Sequence, residues 1–159
     1  MTATSLPDGA RRVAAKLAEL GHPHDVVMLP VTGRTAADAA AALGVELGQI
    51  AKSIVFRRRE DDAAVLVVTS GDLRVDEQKV SALVGKLGRA DADFVKAATG
   101  FSIGGVSPVG HTTAPVILID AELFRFEQVW AAAGHPHAVF PLSPGELVQL
   151  TGAPVAGVT

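Results

Sequence analysis

Lys52 lies in Ile50-Ala51-Lys52-Ser53-Ile54-Val55-Phe56, a stretch whose β-branched and aromatic content at Ile54 to Phe56 favours a strand. Alternate strand residues share a face, so Lys52, Ile54 and Phe56 point the same way, and the lysine falls where a core side chain belongs. Burying an ammonium is costly unless it meets an anion, a dipole or water in a cleft. The competing reading is a lysine at the strand's edge whose stem covers apolar surface while its head reaches solvent. A second segment, Gly100 to Gly110, reads Gly-Phe-Ser-Ile-Gly-Gly-Val-Ser-Pro-Val-Gly. Such a loop exposes backbone N–H groups of the kind that hold a developing oxyanion, and it reads equally well as a tight turn.

Other chemistries lack their residues. Gly105 to Gly110 comes near the G-x-S-x-G nucleophile elbow, but one residue too many follows Ser107, and a strand follows the loop where the elbow needs a helix. There is no G-x-G-x-x-G and no Walker A sequence. Zero cysteines exclude thiol nucleophiles, disulfides and thiolate metal sites. His22-Pro23-His24 and His135-Pro136-His137 offer imidazoles, yet no acidic ligand sits at a recognisable spacing, so they read as proline-pinned turns and no metal or other cofactor is expected. Residues 35–54 loosely copy helix-turn-helix spacing through Ala40, Gly44 and Ile50, with Gln49, Lys52 and Ser53 as base readers. Against that stand the β-branched last turn such a helix would need and the net charge of −3.

The elements that must position these residues follow from periodicity and caps. Helices are expected over Pro7 to Leu20, from the Thr35 N-cap to Leu43, from the Asp76 cap through Val84, over Ala92 to Thr99 behind Asp91, and over Pro144 to Leu150 behind a Ser143/Glu146 capping box. Strands are expected at Asp25 to Leu29, around Ile54 to Phe56, at Ala63 to Thr69 as its antiparallel partner, at Val116 to Ile119, Val129 to Ala132 and Ala138 to Leu142. A short segment spans Leu123 to Glu127. Interspersed strands and helices without clean βαβ alternation give a mixed α/β or α+β sheet.

Two segments together resemble a known family. Thr35-Ala-Ala-Asp-Ala-Ala-Ala-Ala-Leu-Gly-Val with Gly48-Gln-Ile-Ala-Lys52-Ser-Ile-Val-Phe56, and Thr99-Gly-Phe-Ser-Ile-Gly104-Gly-Val-Ser-Pro108-Val-Gly, are similar to the YbaK/EbsC and ProX-like family. That family is related to the editing domain inserted in bacterial prolyl-tRNA synthetase. The likeness continues through Gly71 to Asp76, Val116 to Asp120 and Leu142 to Leu147. It implies a free-standing deacylase that removes a wrong small amino acid, such as Ala, Ser, Thr or Cys, from mischarged tRNA, with tRNA-Pro as a candidate, on a largely antiparallel, curved mixed sheet with surrounding helices. Lys52 matches the family's essential lysine and Gly104 to Pro108 its Gly-x-x-x-Pro loop. This puts Lys52, Gly104 and Gly105 in catalytic roles and Phe56, Val106, Ser107, Pro108 and His135 around the substrate. Cysteine-editing members carry Ser-Gly-Gly where this chain has Ala132-Ala133-Gly134, which speaks against a cysteine substrate.

The residue chemistry agrees with the resemblance. An aminoacyl ester is already activated, so placing a water and holding the oxyanion suffice without a covalent nucleophile. Lys52 supplies a point charge for the terminal phosphate or the carbonyl region. With 159 residues, 48% hydrophobic and 19% charged, the chain is expected to be one domain over 1–159 with a buried core. Apolar runs such as Ala64 to Val68 fall short of the roughly 20 residues of a membrane span. Met1 to Asp8 carries no signal-peptide pattern, so a cytoplasmic protein is expected. Partners are then a tRNA acceptor end and a synthetase, with no membrane and no duplex DNA. Arg34 and the Arg57 to Arg59 cluster join Lys52 as candidate phosphate contacts. The alternative function is a nucleic-acid-binding or regulatory module of the same fold without catalysis.

Overall fold

The computed structural model describes residues 6–30 and 35–159; Arg34 therefore lies outside the described residues. Among the described residues there are five α-helices, four of which start behind a side-chain cap. Helix α1 (Asp8–Glu19) buries Ala10, Val13 and Leu17, one stripe at helical spacing. In α2 (Ala36–Leu43) the Thr35 hydroxyl accepts from the Asp38 N–H at 3.1 Å and the Asp38 carboxylate accepts from the Thr35 N–H at 3.3 Å, a reciprocal capping box. Asp76 caps α3 (Glu77–Val84), Asp91 caps α4 (Ala92–Thr99) and Ser143 with Glu146 caps α5 (Pro144–Thr151).

Eight strands make one sheet: β1 (Val27–Met28), β2 (Ile50–Arg58), β3 (Ala64–Ser70), β4 (Leu87–Gly88), β5 (Val116–Asp120), β6 (Val129–Ala132), β7 (Ala138–Leu142) and β8 (Val155–Ala156). Their order is β1-β7-β6-β2-β3-β5-β8, with β4 also pairing β2. Four pairings are antiparallel (β1/β7, β2/β3, β2/β4, β6/β7) and three parallel (β2/β6, β3/β5, β5/β8), which is the mixed α/β sheet the sequence implies. The two faces have separate cores. Ala51, Leu66, Val68, Ala131 and Phe140 pack with α1 and α4 on one side, whereas Val65 and Val67 pack under Val80 of α3 on the other.

One irregularity of pairing positions the site. β3 follows β2 along one edge from Ala51 to Arg57, but the other edge meets β6 only at Ile50 and Ala51, and β4 only at Arg57 and Arg58. Between those contacts Lys52 to Phe56 present an edge without a strand partner among the described residues, and a cleft opens there. The segment Glu46 to Ser53 is a 3-10 turn (Leu47–Gln49) running into β2, so no second helix of a helix-turn-helix exists. Strands β4 and β8, two residues each, are too short to carry a period-2 signal, and β1 spans two residues where five were expected.

Asp120 closes the far edge. Fully buried, it accepts from the Val158 N–H at 3.1 Å and the Thr159 hydroxyl at 3.1 Å. Asp120→Ala orphans both donors and is expected to lower unfolding free energy by about 1–3 kcal/mol. Urea denaturation of the two proteins measures that difference.

Candidate active site

The cleft has a cavity of about 420 Å³. Its walls are Ala36 and Ala39 of α2, Lys52 to Val55 of β2, Val95 of α4, Ile103, Gly104 and Val106 of the glycine loop, Trp130 and Ala132 of β6, and Pro136 and Val139. Nearly all are apolar. Lys52 is the one charged side chain in the lining among the described residues.

Lys52 is half-buried and its ammonium makes no hydrogen bond among the described residues. Burial pushes its pKa below the ordinary lysine value, Arg74 pushes it further in the same direction, and Asp72 opposes both. Two lining residues carry buried polar atoms without partners among the described residues: the Ser53 hydroxyl and the Trp130 indole N–H.

The two glycines differ in use. Gly104 has φ +92°, a left-handed conformation, and a Cβ there would meet only Pro136 Cγ at 4.0 Å. Its N–H finds no acceptor among the described residues, and Gly104 lines the cavity. The Gly105 N–H instead donates to the Ser102 carbonyl at 3.0 Å, which corrects the expectation that both glycines offer donors. Gly105 serves close packing: a Cβ would come within 2.9 Å of the His135 backbone N, Cα and C.

The remaining sequence candidates separate. Val106 lines the cavity with Lys52 and Gly104. Ser107 is fully buried, its hydroxyl accepts from the Val109 N–H at 3.1 Å, and its carbonyl receives His111 Nε2 at 2.6 Å, the geometry of a turn and not of a nucleophile. Burial pushes the His111 pKa down, which keeps that imidazole neutral. Pro108 faces a different recess with Arg12 and Lys16. Phe56 packs into the α3-side core, away from the cavity, because its end of β2 lies beyond the cleft. His135 borders a third recess on the other side of the loop, and its Nδ1 accepts from the His137 N–H at 3.1 Å. Pro136, next to it, is the residue that reaches the cavity.

The arginine cluster is spent elsewhere. Arg57 faces Asp62 at 3.5 Å, and Arg58 binds Asp61 at 2.7 Å, which holds the Asp61 carboxyl at about 2. Arg58 lies six positions along the strand from Lys52, roughly 20 Å at strand rise. No three His, Asp or Glu side chains come together as a metal-ion cluster among the described residues. No helix is long and apolar enough to cross a membrane among those residues.

The parting of the sheet beside β2 thus brings Lys52 and Gly104 of the glycine loop into the lining of one apolar cavity. Residues 31–150 match the model of the aminoacyl-tRNA editing domain, and the chain belongs to that family. A solved structure of a candidate trans-editing enzyme for prolyl tRNA synthetase superposes with a TM-score of 0.92 at 45% identity, covering 98% of this chain and 99% of that one. YwhH of Bacillus subtilis (strain 168), itself uncharacterised, is 32% identical over 142 residues, 89% of this chain and 90% of its own. The proline–tRNA ligase of Brachyspira hyodysenteriae (strain ATCC 49526 / WA1) is 41% identical over 61 residues, 37% of this chain and 10% of the ligase.

Proposed function

We propose that the chain is an aminoacyl-tRNA deacylase that hydrolyses the ester of a small amino acid, such as Ala, Ser or Thr, carried on a mismatched tRNA, with tRNA-Pro as the first candidate. The observation that carries this reading is that Lys52 and Gly104, whose N–H has no acceptor among the described residues, line one mostly apolar cavity of about 420 Å³. In the reaction, water attacks the ester carbonyl carbon and the carbonyl oxygen takes the negative charge. In this reading the Gly104 N–H, which has no acceptor among the described residues, is the donor for that charge. The carbon–oxygen bond to the ribose then breaks, the ribose oxygen takes a proton, and free amino acid and tRNA leave. Lys52 holds the phosphate or carbonyl region as a point charge without forming a bond.

Recognition of the amino acid rests on size. An apolar pocket separates substrates differing by one methylene by only about 1–3 kcal/mol, the selectivity a synthetase also reaches, so a second sieve of small volume adds fidelity. Ala36, Ala39 and Ala132 keep that volume small. The test is a deacylation panel of mischarged tRNAs. Hydrolysis of at least one small-amino-acid ester supports the assignment, whereas none across the panel, with the protein still binding tRNA, supports the non-catalytic module.

Binding should also be weakly salt-dependent. Arg57 and Arg58 are ion-paired, and among the described residues Lys52 is the one charged side chain that lines the cleft, so few phosphates are contacted there. At about −0.7 per phosphate for a single strand, the slope of log K against log salt for an aminoacylated acceptor end should be shallower than about −4. Fluorescence anisotropy across a salt series reads that slope, and a steep slope on duplex DNA would count against the assignment.

A further inference from the structure

Arg12 of α1 grips the root of the glycine loop, 87 residues further along the chain. Its Nη2 donates to the Thr99 carbonyl at 3.0 Å, and its guanidinium lies over the Phe101 ring, 4.2 Å from the centroid. No carboxylate pairs with it among the described residues. Its Nε is buried there without a partner, a cost that an arginine kept for stability alone would avoid by meeting an acid. Gly100 leaves the guanidinium its room, since a Cβ would lie 2.5 Å from Nη2 and 2.7 Å from Nη1. The far end of the loop closes on the same ring. His111, bonded to the Ser107 carbonyl, stands nearly perpendicular to Phe101 with the centroids 5.9 Å apart. Phe101 is fully buried, so both ends of the loop share one fixed point. The tip between them is held by much less: neither Ile103 nor Gly104 makes a hydrogen bond among the described residues, and Ile103 is exposed.

We propose that Arg12 is a positioning residue of the site: stacked on Phe101 and bonded to the Thr99 carbonyl, it fixes the root of the glycine loop and thereby the direction of the Gly104 N–H. Gly104 and Lys52 line the cavity, whereas Arg12 lines the two other recesses, one with Pro108 and His111, the other with Phe101 and Gly105. It acts through the loop and not on the substrate. A guanidinium suits this task because its face stacks on the ring while its edge donates, which a lysine ammonium does not reproduce. The effect on rate rests on the deacylase reading, whereas the effect on the loop does not.

The experiment follows the Gly104 amide by NMR in the full chain labelled with 15N-glycine, with Gly104→Ala assigning its signal among the sixteen glycines. Arg12→Lys should move that signal. Asp120→Ala, which loosens the far edge of the sheet without touching the loop, should leave it in place. In deacylation well below the melting temperature, Arg12→Lys should lower kcat by about tenfold or more, because a displaced donor is missed chiefly in the transition state. KM should stay within about twofold of the parent, and Asp120→Ala should keep the parent's kcat. Phe101→Leu should reproduce both changes, and the double variant should lose little more than the larger single loss, as one shared contact requires. Arg12→Gln gives the same readouts with a shorter side chain if Arg12→Lys does not fold. An unmoved Gly104 amide in a folded Arg12 variant, or a kcat equal to that of Asp120→Ala, overturns the proposal. If the parent protein hydrolyses no mischarged tRNA, the deacylase reading falls while the amide shifts still decide the role of Arg12.

Discussion

Lys52→Ala should lower deacylation by about 10²–10³-fold, the loss seen when one preorganised electrostatic contact to a transition state is removed, while the protein stays folded. The expectation rests on what Lys52 does not do. Its ammonium makes no hydrogen bond among the described residues, so its removal orphans no partner there. Its surroundings depress its pKa, first through burial and then through Arg74. The folded state therefore holds the Lys52 proton less tightly than the unfolded chain does. Where the unfolded state binds more protons, stability rises with pH. At neutral pH the alanine variant should be at least as stable as the parent, and the parent should gain on it as pH rises through the lowered midpoint towards the ordinary lysine value. Ester hydrolysis and thermal melting at pH 7 and pH 10 check both halves. Retained activity, or a collapse of the fold, would remove Lys52 from its assigned role.

What could be seen in the sequence followed from how local its cause was. The caps at Thr35, Asp76, Asp91 and Ser143 are decided within four residues, and all four helices start where those residues stand. Lys52 stood out because one charged residue interrupts an apolar strand face, a signal that needs only period-2 spacing. Phe56 shares that face and yet lies outside the cavity, because the cleft is as long as the gap between β6 and β4, and strand pairing of that kind has no local signature. The same limit hid the bond of Arg12 to the Thr99 carbonyl, 87 residues apart, and the indole N–H of Trp130 in the wall. In the loop, sequence identified the glycines but not their division of labour, since only the fold brings the His135 backbone against Gly105.

That division leads to a graded set of outcomes in the loop. Gly105→Val should be the most damaging of the substitutions there, because even its Cβ must displace the backbone of His135, which a flexible side chain could have avoided. Overpacking of this kind costs about 1–3 kcal/mol, and the loop moves away from the cavity. Since a misplacement of about 1 Å at a reacting centre can cost 10²-fold in rate, activity should fall by about that much even at temperatures where the variant is fully folded. Gly104→Ala has open space for its methyl group but must hold φ +92°, a strain of about 1–2 kcal/mol, and should lose activity through a shifted N–H more than through stability. Ser107→Ala should show the reverse pattern. It orphans the buried Val109 N–H, lowering stability by about 1–3 kcal/mol, while kcat well below the melting temperature should stay within about threefold of the parent, because the hydroxyl is committed to the turn. Paired melting curves and single-turnover rates for the three variants separate packing from chemistry. If Ser107→Ala alone abolished turnover in a folded protein, and an acyl-serine could be trapped in the parent, the water-attack mechanism would give way to a covalent one.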